Sequence, residues 1–89
     1  MTAIADFDEL ALFIGKELAR LPRSPNTFEV GIKHGLNKMR GAAGRFHSLS
    51  DFAAAARAEI KRMPDVPDDR ERGIIHGLRL VLRNLPEET

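Results

Sequence analysis

An internal repeat constrains this chain more than any other feature. Gly31-Ile32-Lys33-His34-Gly35-Leu36 recurs as Gly73-Ile74-Ile75-His76-Gly77-Leu78, 42 residues later. The same ungapped register pairs Glu17 with Glu59, Arg20 with Arg62, Pro22 with Pro64, Pro25 with Pro67 and Glu29 with Glu71. Agreement at this many positions in one register indicates a duplicated unit. The copies span about 6–44 and about 48–86, inside one domain covering 1–89.

Helix-start signals repeat in the same register. Asp6 stands three residues before Glu9, as Ser48 stands before Asp51; Asn26 precedes Glu29 as Asp68 precedes Glu71. Each pair offers a short polar side chain to free N–H groups and an acid to the positive end of the helix dipole. Pro22 and Pro64 stop the preceding helices, because proline disfavours helical geometry in the residue before it. Gly41 and Gly44 are read as breaking the chain between units, and Pro86 as ending the last helix. Four helices follow, at about 7–21, 27–40, 49–63 and 69–85.

Apolar residues recur at helical spacing in each. Examples are Leu10, Ile14 and Leu18 in the first helix, and Ile74, Leu78, Val81 and Leu85 in the last. Every stripe needs a partner to cover it. The expected fold is therefore all-α: a small four-helix domain of two tandem helical hairpins related by a pseudo-twofold. The fourth helix is apolar on more than one face, since Ile75, Leu80 and Leu82 lie outside its main stripe. Another chain covering that face is one explanation, and a second copy of this chain is one candidate.

Composition removes several chemistries. The chain has no cysteine, hence no disulfide, no thiolate metal site and no cysteine nucleophile. Its opening has neither a basic nor an apolar signal segment, and its apolar stretches are too short to span a bilayer. We expect a cytoplasmic protein with no membrane partner. Net charge is +1 but unevenly spread. Seven Lys or Arg oppose Asp51 and Glu59 between Lys33 and Arg62, whereas Lys16 alone opposes Asp6, Asp8, Glu9 and Glu17 at the start.

Gly31/Gly35 and Gly73/Gly77 are each four apart, so each pair shares a helix face. Glycine costs a helix about 1 kcal/mol relative to alanine, and its repetition points to a close crossing of the second and fourth helices. The spacing resembles that of membrane helix pairs, but these helices carry too much charge to cross a bilayer. His34 and His76 occupy equivalent positions, with no acid or third histidine at i±3 or i±4 to complete a metal shell. His47 beside Ser48 is no nucleophile–base pair, because Ser48 is read as a helix cap. The acids from Asp65 to Glu71 lack the alternating ligands and central glycine of a calcium loop.

No cofactor and no catalytic residues are expected. The function expected is a non-enzymatic protein-interaction module, an adaptor or inhibitor docking on a larger protein. The residues expected to make the contact are Ile75, Leu80 and Leu82, with Arg40, Arg45 and Phe46 of the basic link between the units. The alternative is nucleic-acid binding through the basic region Lys33–Arg62, with Phe46 stacking on a base.

Overall fold

The computed structural model describes residues 4–86. Four α-helices form: α1 (Phe7–Ala19), α2 (Thr27–Ala42), α3 (Leu49–Lys61) and α4 (Asp69–Asn84), with a 3₁₀ turn at Ala43–Arg45. Adding 42 to the bounds of α1 and α2 yields the bounds of α3 and α4. The described residues include no strand.

All four helix starts fall where the polar side chains place them. The Glu9 N–H donates to Asp6 Oδ1 at 2.8 Å, and the Asp51 N–H to Ser48 Oγ at 3.1 Å. On α2 and α4 the cap is reciprocal. The Glu29 N–H donates to Asn26 Oδ1 at 2.8 Å while the Asn26 N–H donates to Glu29 Oε1 at 3.0 Å. Asp68 and Glu71 repeat this at the same distances of 2.8 and 3.0 Å. Each cap satisfies N–H groups that no helical carbonyl reaches.

The helix ends depart slightly from expectation. α1 and α3 stop at Ala19 and Lys61, two residues early, because the chain tightens before each proline: the N–H groups of Leu21 and Met63 bond to the carbonyls of Leu18 and Ile60. α2 runs two residues longer, through Gly41 to Ala42, and Gly44 lies in the 3₁₀ turn. Gly41 therefore does not break the helix, whereas Gly44 does lie in the break between the units; neither has positive φ. Glycine is tolerated in a last helical turn, and Met39 and Ala43 on either side hold this one against the core.

The core draws on every helix. Leu10 and Ile14 of α1, Leu36 and Met39 of α2, Phe52 and Ala56 of α3, and Leu78 and Val81 of α4 are all buried. These are the same positions in the two units. Ile4, Ala53 and Leu85 complete the cluster, and the Ile4 N–H donates to the Asn84 carbonyl at 3.1 Å. The first described residue is thereby tied to the end of the last helix.

The most extensive helix contact is between α2 and α4. A Cβ on Gly31 would overlap the carbonyl oxygen of Arg70, and one on Gly35 would lie 2.9 Å from that of Ile74. Reciprocally, a Cβ on Gly73 would overlap the carbonyl oxygen of Phe28, and one on Gly77 would lie 3.1 Å from that of Ile32. The contact point advances in the same direction on both helices, so α2 and α4 run parallel with their backbones touching. Only residues without a side chain permit that approach.

Candidate protein-docking groove

Where α3 ends and α4 begins, the chain turns through Met63, Pro64, Asp65, Val66 and Pro67. This turn and the flank of α4 enclose a groove of about 790 Å3. Its apolar surface comes from Ile60, Met63, Pro64, Pro67, Ile75 and Leu82, with Phe28 reaching in from the start of α2. Val66, between two lining residues, is 84% exposed.

The polar residues of the groove are mostly of one sign. Lys61, Arg72, Arg79 and Arg83 line it, against the single carboxylate of Asp65. Arg72 lies 3.7 Å from Asp69, an exposed pair of little strength. Lys61, Arg79 and Arg83 meet no carboxylate within ion-pair distance among the described residues. Among the described residues the groove therefore combines aliphatic contact area with a net positive rim.

The 42-residue register reveals a twin. Leu18, Leu21, Pro22 and Pro25 line a groove of about 380 Å3 on the first unit, the counterparts of Ile60, Met63, Pro64 and Pro67. Its other residues have changed character. Arg23 replaces Asp65, Lys33 replaces Ile75, Asn37 replaces Arg79 and Arg40 replaces Leu82. The walls set by the helix-stopping prolines are retained, while the flank has become polar and basic.

His34 and His76 keep equivalent surroundings as well. His34 Nδ1 lies 3.5 Å from Arg70 Nη2, and the His76 ring lies 5.5 Å from the ring of Phe28. Arg70 and Phe28 are themselves counterparts, so each histidine rests against the opposite unit's helix start. A cation beside His34 disfavours a metal there. Among the described residues no three His, Asp or Glu side chains gather as a ligand set.

The residues singled out from sequence are divided among several surfaces. Ile75 and Leu82 line the larger groove and Arg40 the twin. Arg45 and Phe46 line a third pocket, beside Phe52, Ala55, Ala56 and Ala58 of α3. Phe46 is half-buried and packs against the core, with its ring and that of Phe52 in a T-shaped pair, 5.7 Å between centroids. Leu80 is half-buried and lines none of these grooves. Glu59 engages two cations of the basic region, Lys38 at 3.2 Å and Arg62 at 2.8 Å.

Phe28, Ile60, Lys61, Met63, Arg79 and Arg83 were missed as groove residues. One usable signal existed. Comparing the units position by position shows the flank of the second helix of each unit diverging while its prolines stay.

No family model, no curated protein and no solved structure matches this chain. No helix among the described residues is long and apolar enough to cross a membrane.

Proposed function

We propose that the chain is a non-enzymatic protein-interaction module, an adaptor or inhibitor, whose α3–α4 groove docks an acidic, apolar segment of a larger partner. The observation carrying this reading is the juxtaposition of Ile60, Met63, Ile75 and Leu82 with Lys61, Arg79 and Arg83, cations that meet no carboxylate among the described residues. Aliphatic area supplies attraction once water leaves, and a one-signed rim steers an oppositely charged partner and sets its register. An amphipathic helix with acids flanking its apolar face satisfies both requirements. The absence of cysteine from the sequence suits a cytoplasmic setting.

The test uses the intact chain as bait in nuclease-treated extract, beside an Arg79→Glu/Arg83→Glu variant. The wild type is expected to retain a stoichiometric protein that the variant loses. Equal retention by both would overturn the groove assignment. Sedimentation of the purified chain adds a second check, since a dimer sensitive to the same reversal makes another copy the occupant.

A second reading, nucleic-acid binding, is favoured by the twin groove, where Arg23, Lys33 and Arg40 line a surface with no carboxylate. It requires oligonucleotide affinity that falls steeply with salt and is lost on Lys33→Glu/Arg40→Glu. Binding that ignores salt, or is absent, removes this reading.

A further inference from the structure

A third pocket, of about 240 Å3, lies where the end of α2, the 3₁₀ turn and α3 meet. Its apolar walls are Met39, Phe46, Phe52, Ala55, Ala56 and Leu78. The repeat explains why it is open. Ala55 and Ala56 are the counterparts of Phe13 and Ile14 on α1. There Ile14 is fully buried and Phe13 packs against the core, so the equivalent space is filled by the protein's own side chains. On α3 both side chains shrink to a methyl group. Phe46 and Phe52, in place of Ile4 and Leu10, return part of the volume, but their edge-to-face packing leaves the cavity above Ala55 and Ala56.

The mouth of this pocket is charged. Lys38, Arg45 and Arg62 line it with Glu59 as the single carboxylate. Glu59 is shared between Lys38 and Arg62, at 3.2 and 2.8 Å, whereas Arg45 has no carboxylate partner within ion-pair distance among the described residues. The rim is thus net positive, and Arg45 is the guanidinium that the described carboxylates leave to meet an incoming anion. A guanidinium suits a carboxylate, whose two oxygens match its fork of donors.

From this geometry we infer that the pocket binds a small amphipathic anion, with an apolar body of one alkyl chain or aromatic ring and a carboxylate head on Arg45. The size agrees: an apolar cavity of about 150 Å3 already accepts benzene, and pockets for drug-sized ligands start near 300 Å3. This site is separate from the α3–α4 groove and does not depend on the docking reading.

The test is a titration of the intact, 15N-labelled chain with octanoate, using octanol and acetate as controls. Octanoate is expected to give saturable amide shifts at Phe46, Ala55 and Ala56, acetate none, and octanol weaker ones. Ala55→Phe, which restores the side chain of the first unit, is expected to abolish saturation; Ala55→Leu serves the same purpose if the larger ring disrupts folding. Arg45→Gln is expected to weaken octanoate up to about fivefold, toward the affinity of octanol, as befits an exposed ion pair. Absence of saturable octanoate shifts would overturn the site. Binding unchanged in a folded Ala55 variant would overturn its location. Equal affinity for octanoate and octanol would overturn the anionic head group.

Discussion

The Cα of Gly73 lies 2.9 Å from the place a Cβ on Gly31 would occupy, and the Cα of Gly31 lies 2.9 Å from that of a Cβ on Gly73. The carbonyl oxygens of Arg70 and Phe28 lie nearer still, so each position excludes a side chain on account of the opposite helix's backbone. Placing alanine in a helix ordinarily stabilises it by about 0.5–1 kcal/mol over glycine. Here the sign reverses, because the new methyl meets carbonyl backbone that has no rotamer to move. Gly31→Ala and Gly73→Ala are each expected to destabilise by about 1–3 kcal/mol or more. Gly15→Ala on α1 is the internal control, since its Cβ would meet nothing within 4 Å. Urea unfolding should show the midpoint rising for Gly15→Ala and falling for the other two; a rise in all three would remove the crossing from the account.

Removing the caps tests the local determinants. Asn26→Ala and Asp68→Ala each delete a 2.8 Å bond and leave the backbone N–H of Glu29 or Glu71 without its acceptor, while the reverse bond from the backbone N–H of residue 26 or 68 to the Glu29 or Glu71 carboxylate remains. A loss of about 0.5–2 kcal/mol is expected for each, read from thermal unfolding. The caps sit on different helices and share no side-chain partner, so the double variant should lose close to the sum.

Ile4 is fully buried, although it precedes the first helix. It fills the core beside α4 and ties its backbone to Asn84. Ile4→Ala is expected to cost about 2–5 kcal/mol, as in a helix core, and to lower the unfolding midpoint accordingly. A midpoint shift within error would show that the segment contributes nothing to the folded state.

Charge changes at the surface should leave stability nearly untouched. Glu59→Gln removes both the Lys38 and Arg62 pairs, yet each cation is more than half exposed, with side-chain exposures of 54% and 72%. A loss below about 1 kcal/mol is expected, shrinking further in high salt. Arg79 and Arg83 are exposed and pair with no described carboxylate, so the charge reversals that test the groove should unfold at the wild-type midpoint. A large midpoint drop in either variant would mean that these charges hold the fold rather than face a partner.

Much of the architecture is set by interactions that reach no further than one helical turn, and these are legible in the chain. Asp6, Asn26, Ser48 and Asp68 each place a helix start to the residue, because a cap bonds an N–H three positions away. Pro22 and Pro64 locate the stops to within two residues. Gly41 was misread because a glycine signals a break only where the backbone needs positive φ, and here it does not.

The surfaces were not legible in this way. The larger groove joins Phe28 to Ile60, Ile75 and Leu82, and the third pocket joins Met39 and Phe46 to Ala55 and Leu78. Those groups meet only because α2 and α4 cross in contact and carry α1 and α3 with them. The sequence by itself determined four capped helices, a duplicated unit and the glycines that allow close approach. Which faces remained open, and which charges came to lie around them, was decided by long-range packing, since no periodicity along one helix records the distance to a neighbour.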